Sequence, residues 1–112
     1  MNINYHQDGN VVVAEMEGSL DTATSETAGT SLNQAIDDGA NLLLLDLEKV
    51  DFISSAGLRI LLGLAKRQMK SAGKLHLVAM NDTVQEVFTI SGFDGIIGCS
   101  PVLEQGLDAI RS

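Results

Sequence analysis

Two adjacent serines, Ser54 and Ser55, are the side chains whose type and placement most suggest chemistry. They stand in Leu42–Leu64, LLLLDLEKVDFISSAGLRILLGL, between an apolar run and a helical pattern. A serine at a helix start can accept a hydrogen bond from the free backbone N–H groups of the first turn. That bond stabilises the helix by about 1 kcal/mol relative to Ala, so capping alone accounts for such serines. The same geometry serves a second chemistry. A helix N-terminus presents unsatisfied N–H groups and the positive end of the helix dipole, which favour phosphate. A phosphoserine there would carry about −1.5 to −2 charges. Asp46, Glu48 and Asp51, close by in sequence, would deepen the local negative potential. Nucleophilic catalysis by either serine would need a base. The two histidines, His6 and His76, are far apart in sequence and in no metal-ligand spacing. Cys99 is the one cysteine, so an internal disulfide or a multi-cysteine metal site is excluded. There is no P-loop, no G-x-S-x-G elbow and no G-x-G-x-x-G motif. The expectation is a protein that is not an enzyme, with no resident metal or cofactor.

Composition narrows the partners. Seven Lys and Arg face fifteen Asp and Glu, for a formal charge of −8. Nucleic-acid binders neutralise phosphates with clustered cations, and this chain repels polyanions overall. Trp is absent, and Tyr5, Phe52, Phe88 and Phe93 are scattered, so base stacking has no platform. No apolar run approaches the roughly 18–20 residues of a membrane span. Met1–Gly9 is polar, without the basic start and apolar stretch of a secretory signal. A cytoplasmic location is the expectation. The charge is also lopsided. Residues 1–48 hold nine acids and no Lys or Arg, and six of the seven basic residues fall between Lys49 and Lys74. That basic segment is either a solvated helix face or a partner-docking patch.

The elements that must position the serines alternate between strand and helix. Ile3–Tyr5 and Val11–Met16 read as strands joined through Asp8-Gly9-Asn10, with Gly18 ending the second. Asp21–Ser25 offers several N-cap candidates for a helix carrying Ala28, Leu32, Ala35 and Ile36, closed by Gly39. Asn41–Leu47 suits a central strand buried on both faces, and Glu48–Ser55 reads as a loop. The helix after it spans about Ala56 to Ser71, with Leu58, Leu61, Leu62, Ala65 and Met69 on one face. Lys74–Ala79 is a further strand, with His76 between Leu75 and Leu77 at a position expected to face solvent. Asn81 or Asp82 caps a short helix with Val84, Val87 and Phe88, and Ser91-Gly92-Phe93 closes it. Ile96-Ile97 reads as a weak final strand. Ser100-Pro101 then starts a last helix with core positions Leu103, Leu107 and Ile110. The order ββαβαβαβα predicts an α/β fold, a mixed, mostly parallel sheet with helices packed on it. With 112 residues the chain is the size of one domain.

Three motifs give the pattern a family. Val50–Leu62, VDFISSAGLRILL, resembles the signature of STAS-domain anti-sigma factor antagonists, in which a D-S-[ST]-G-L-type turn opens a helix. Gly18-Ser19-Leu20-Asp21 is similar to that family's G-E-[LI]-D turn, and Val87–Phe93 to its L-F-x-[IL]-[ST]-G-[LF] stretch. The resemblance spans almost the whole chain and implies one STAS domain over residues 1–112. It further implies a binding switch. The unphosphorylated antagonist binds an anti-sigma factor that is also a serine protein kinase and frees that factor's target. Phosphorylation abolishes binding, and a PP2C-type serine phosphatase restores it. Aligned on Gly57, Ser55 takes the phospho-acceptor position, Ala56 the second Ser or Thr, and Ser54 the usual Asp. Ser54 is the fallback acceptor. Asp21 matches an Asp near the phosphorylation loop, where it would contact the kinase or order the serine loop; a plain turn or cap carboxylate reads equally well.

The helix after Ser55 carries an expectation of its own. At about 100° per residue, Ile60 and Leu64 lie opposite the Leu58, Leu62 and Ala65 face. With helices covering one sheet face, they would form an exposed apolar docking stripe bordered by Arg59, Lys66 and Lys70. The alternative is a neighbouring helix over them. Asp21, Ser54, Ser55, Ala56, Gly57, Arg59, Ile60 and Leu64 are thus the expected partner-binding residues. Two other classes compete: a ligand-binding or transport-accessory STAS domain without a switch, and a small hydrolase using Ser54 or Ser55.

Overall fold

Gly9, at φ +59°, lets the chain reverse in a tight turn. The computed structural model describes residues 1–112. Strand β1 (Asn2–Asp8) pairs antiparallel with β2 (Val11–Leu20), which runs parallel to β3 (Leu42–Ile53). β4 (Lys74–Val78) and β5 (Gly98–Ser100) continue the parallel part, so the sheet order is β1-β2-β3-β4-β5. Helices α1 (Ser25–Asp37), α2 (Ser55–Lys70) and α3 (Asp82–Ile90) make the crossovers, and α4 (Leu103–Arg111) follows β5. A 3-10 turn at Phe93–Gly95 leads from α3 into β5. This is the α/β order expected from the sequence.

The topology decides which face each helix takes. Parallel crossovers are right-handed, and these all advance in one direction across the sheet, so their helices share a face. Ala28, Leu32, Leu61, Leu64, Val84 and Phe88 accordingly join Leu43, Leu45 and Leu47 of β3 in one core. α4 is no crossover. Its Leu107 and Ile110 meet Val11, Val13, Leu44 and Val78 on the opposite face. Helices therefore cover both faces, where the expectation was one. The consecutive leucines of β3 are thereby explained, since a central strand sandwiched by helices needs apolar side chains on both sides.

Several boundaries move. β2 runs past Gly18 to Leu20, and β3 runs on through Glu48–Ile53, where a loop was expected. The cause is irregular register. β3 spends three residues from Asp46 to Lys49 where β2 spends two from Glu15 to Glu17, and Gly18 and Ser19 pair with Val50 and Phe52. Such bulges break the alternation that marks a strand, and Gly18 bends with them at φ +115°. The last strand is Gly98–Ser100 and not Ile96-Ile97. α4 starts at Leu103 without a side-chain cap, so Ser100-Pro101 does not open it. Ser100 ends β5 instead, its hydroxyl 2.7 Å from His76 Nε2. His76 is buried on the α4 side of the sheet, not solvent-facing, and desolvation lowers its pKa below the ordinary value.

Candidate functional site

The site forms where two strands end side by side. Leu20 closes β2, Ile53 closes β3, and the Ser54 N–H donates to the Leu20 carbonyl at 2.9 Å. Ser54 then turns the chain into α2. Its hydroxyl accepts from Gly57 N–H at 3.2 Å, and its carbonyl accepts from Leu58 N–H at 2.9 Å. Ser54 is thus the N-cap, half-buried and committed to the first turn. Ser55, the first residue of α2, is exposed, and its hydroxyl makes no hydrogen bond within the protein. Of the two neighbouring serines, one therefore caps the helix and the other has a free hydroxyl.

Asp21 follows Leu20 and builds the adjoining turn. Its Oδ1 accepts from Ala23 N–H at 2.9 Å and Thr24 N–H at 3.0 Å. The Thr24 hydroxyl lies 2.6 Å from the Ser19 carbonyl, to which it donates, and the Ser25 hydroxyl donates to the Asp21 carbonyl. One oxygen of Asp21 is therefore occupied in ordering the turn before α1. Leu20 passes that order on, since it contacts both Ser54 and Gly57. Thr24 lies within the Asp21–Ser25 range expected to start α1 and is its N-cap residue, but its bond to Ser19 and the part played by the Leu20 carbonyl were not expected from the sequence. The Thr three residues after Asp21 is the signal that could have pointed to a self-bonded Asx turn.

Helix α2 corrects the docking stripe. Leu64 is 1% exposed and belongs to the main core. Ile60 is half-buried, packed against α1 where Gly29 has no side chain. α1 covers both residues because α2 packs against the sheet and against α1, and each contact needs its own apolar stripe. Arg67 joins the same contact, donating to Asn33 Oδ1 at 2.9 Å and pairing with Asp37. The solvent side of α2 is instead Arg59, Gly63, Lys66, Lys70 and Met69, the last 67% exposed. Lys49 pairs with Glu17 and Arg111 with Asp8, and Lys74 donates to the Ser112 backbone oxygen. Arg59, Lys66 and Lys70 are left without an anionic partner.

Of the expected site residues, the structure brings Asp21, Ser54, Ser55, Ala56, Gly57 and Arg59 to one corner. Ser55 and Arg59 are exposed, Asp21, Ser54 and Ala56 half-buried, and Gly57 buried beneath them. No histidine bonds to either serine. His6 pairs with Glu15 at 3.1 Å and His76 with Ser100. No three His, Cys, Asp or Glu side chains cluster as metal ligands. No helix is long and apolar enough to cross a membrane. A separate groove of about 1040 Å³ runs between β1 and α1, past Tyr5, Val12, Thr27, Ser31 and Ala35.

The fold that holds this corner has counterparts among known proteins. Over 102 residues the chain is 36% identical to a protein of Bordetella bronchiseptica provisionally named anti-sigma factor antagonist BtrV, covering 91% of this chain and 88% of that one. A crystal structure from Thermotoga maritima, provisionally described as an anti-sigma factor antagonist, matches with a TM-score of 0.93 at 21% identity, covering 98% of this chain and 95% of the other; it shows the fold. The anti-sigma factor antagonist SpoIIAA in its unphosphorylated form matches at 25% identity with a TM-score of 0.81, covering 98% of this chain and 96% of that one. Residues 2–106 match the model of the STAS domain, so the chain belongs to the STAS-domain family.

Proposed function

We propose that the chain is an anti-sigma factor antagonist in a partner-switching pathway, a regulatory binding protein and not an enzyme. Unphosphorylated, it binds an anti-sigma factor that is also a serine protein kinase and releases that factor's target. Phosphorylation of Ser55 blocks this binding, and a PP2C-type phosphatase reverses it; ATP and its metal belong to the kinase, and the exchange takes place in the cytoplasm. The observation that carries the reading is the division of labour between the serines. Ser54 is held by its capping bond, whereas Ser55 is exposed and unbonded. A kinase can reach Ser55 without unwinding α2. Relatives named anti-sigma factor antagonists, and a phosphorylated form of SpoIIAA, support the switch. The surrounding corner of Asp21, Ala56, Gly57 and Arg59 would form the partner contact.

The test is intact mass after incubation with ATP and an anti-sigma factor serine kinase from the same organism. One added phosphate, absent in Ser55→Ala, is the expected result. Phosphate that persists in Ser55→Ala moves the site, with Ser54 next in line, and no phosphate at all refutes the switch. Ser55→Ala should keep kinase binding and Ser55→Asp should weaken it. The β1–α1 groove favours a second reading, a ligand-binding or transport-accessory STAS domain. In that case Ser55→Ala and Ser55→Asp would behave alike.

A further inference from the structure

With Ser55 as the modified serine, the assignment on which this proposal rests, the phosphate would stand beside Arg59. Arg59 lies four residues after Ser55 on α2, and both are exposed. Helix residues at this spacing are neighbours, with Cβ atoms about 5–6 Å apart, and an anion N-terminal to a cation is the favourable order. The guanidinium is uncommitted, with no hydrogen bond or ion pair, while Arg67 on the same helix is held by Asn33 and Asp37. Lys66 lies eleven residues beyond Ser55, about 16 Å along the helix axis, so it is out of reach.

Arg59 also has a place in the surface beside the switch. With Ala56 and Ile60 it forms one wall of a groove of about 600 Å³ between α1 and α2. It is the only basic residue lining that groove; Glu26 and Asp37 are the acidic ones. The charge of this surface therefore depends on where one side chain points.

We propose that phosphate on Ser55 is clasped by Arg59 across the first turn of α2. Phosphorylation then does two things at once. It adds negative charge at Ser55, and it withdraws the one cation lining the α1–α2 groove, leaving Glu26 as the unpaired charge there, since Asp37 is held by Arg67. A planar guanidinium suits this role, since its paired N–H groups match two phosphate oxygens. A partner that met Arg59 with a carboxylate would lose that contact without any change in the fold.

The test installs phosphoserine at position 55 by genetic encoding, so no kinase is needed. The second ionisation of the phosphate is followed by phosphorus NMR against pH. Because Arg59 favours the dianion, that ionisation should fall about 0.1–0.4 pH units lower in the otherwise unaltered protein than in Arg59→Gln. Arg59→Lys should restore part of the difference. Lys66→Gln should leave it unchanged, and about 1 M salt should shrink it. Equal titrations with and without Arg59, or an equal effect of Lys66→Gln, would overturn the clasp. Since Arg59 is exposed and makes no hydrogen bond or ion pair in the unmodified protein, Arg59→Gln should fold normally, which thermal unfolding checks. A failure here leaves the kinase reaction standing, because intact mass reads that reaction separately.

Discussion

The backbone oxygen of Leu20 lies 2.6 Å from where a Cβ on Gly57 would stand. The first turn of α2 thus rests directly on the end of β2, with the Leu20 Cγ at 2.9 Å and Ile53 Cγ2 at 3.1 Å from the same point. A backbone carbonyl cannot rotate aside as a side chain can. Gly57→Ala should therefore destabilise the protein despite alanine's better helix propensity, by about 1–3 kcal/mol. Urea unfolding at constant m-value would measure it. The same substitution should loosen the Ser54–Leu20 bond and weaken partner binding even with Ser55 intact.

Ser54 and Ser55 should separate cleanly by mutation. Ser54→Ala removes the oxygen that accepts from Gly57 N–H and should cost about 1 kcal/mol of stability. Ser55→Ala removes an exposed hydroxyl with no bond and should stay within about 0.5 kcal/mol of the parent. The phosphorylation assay should give the reverse ranking, with Ser54→Ala still accepting phosphate. Chemical denaturation and mass analysis on the same two proteins check both halves. Equal stability losses would mean that the capping bond does not distinguish them.

Gly29 and Ile60 form the contact between α1 and α2 that hides the expected docking stripe. A Cβ on Gly29 would lie 3.0 Å from Ile60 Cδ1 and 3.2 Å from Cγ2. Gly29→Ala alone should be nearly neutral, because a helix-propensity gain of about 0.8–1.0 kcal/mol is offset by that crowding. Ile60→Val removes Cδ1 and should cost about 0.5–1.5 kcal/mol on its own. In that background Gly29→Ala should become stabilising. A double-mutant cycle with additive energies would show that the two residues do not pack together.

How much of this was legible in the sequence depends on what each residue answers to. The element order was readable because apolar period and capping residues are local signals, as at Asn81, whose side chain accepts from Val84 N–H. The serine corner was readable because its motif is contiguous. What escaped were the consequences of contacts between distant segments. The 48–53 stretch looks like a loop because its bulges against β2 scramble the alternation. Leu64 looks exposed until α1 is laid beside α2, and only the small Ala28-Gly29 pair hints at that approach. Ser100 looks like a cap until β5 sets it opposite His76.

His76 gives the last prediction, because its burial depends on α4. A Cβ on Gly106 would stand 2.1 Å from Val78 Cγ1 and 3.4 Å from His76 Cδ2, so α4 lies directly over the imidazole. His76 is 9% exposed, its ring is bonded through Nε2 to Ser100, and desolvation disfavours its charged form. Its folded pKa is therefore lower than the unfolded value of 6.5. Above 6.5 both states hold a neutral ring, and His76 imposes no pH dependence. As pH falls below 6.5 the unfolded chain takes up the proton first, so stability declines until the folded pKa is reached. His76→Gln, which keeps a hydrogen-bonding group near Ser100, should flatten this part of the curve. The measurement is denaturant stability of both proteins at intervals from pH 7.5 down to pH 5, taken as a difference so that other groups cancel. A parent protein that loses no stability relative to His76→Gln over that range would show that the ring protonates as easily folded as unfolded, and that α4 does not shield it.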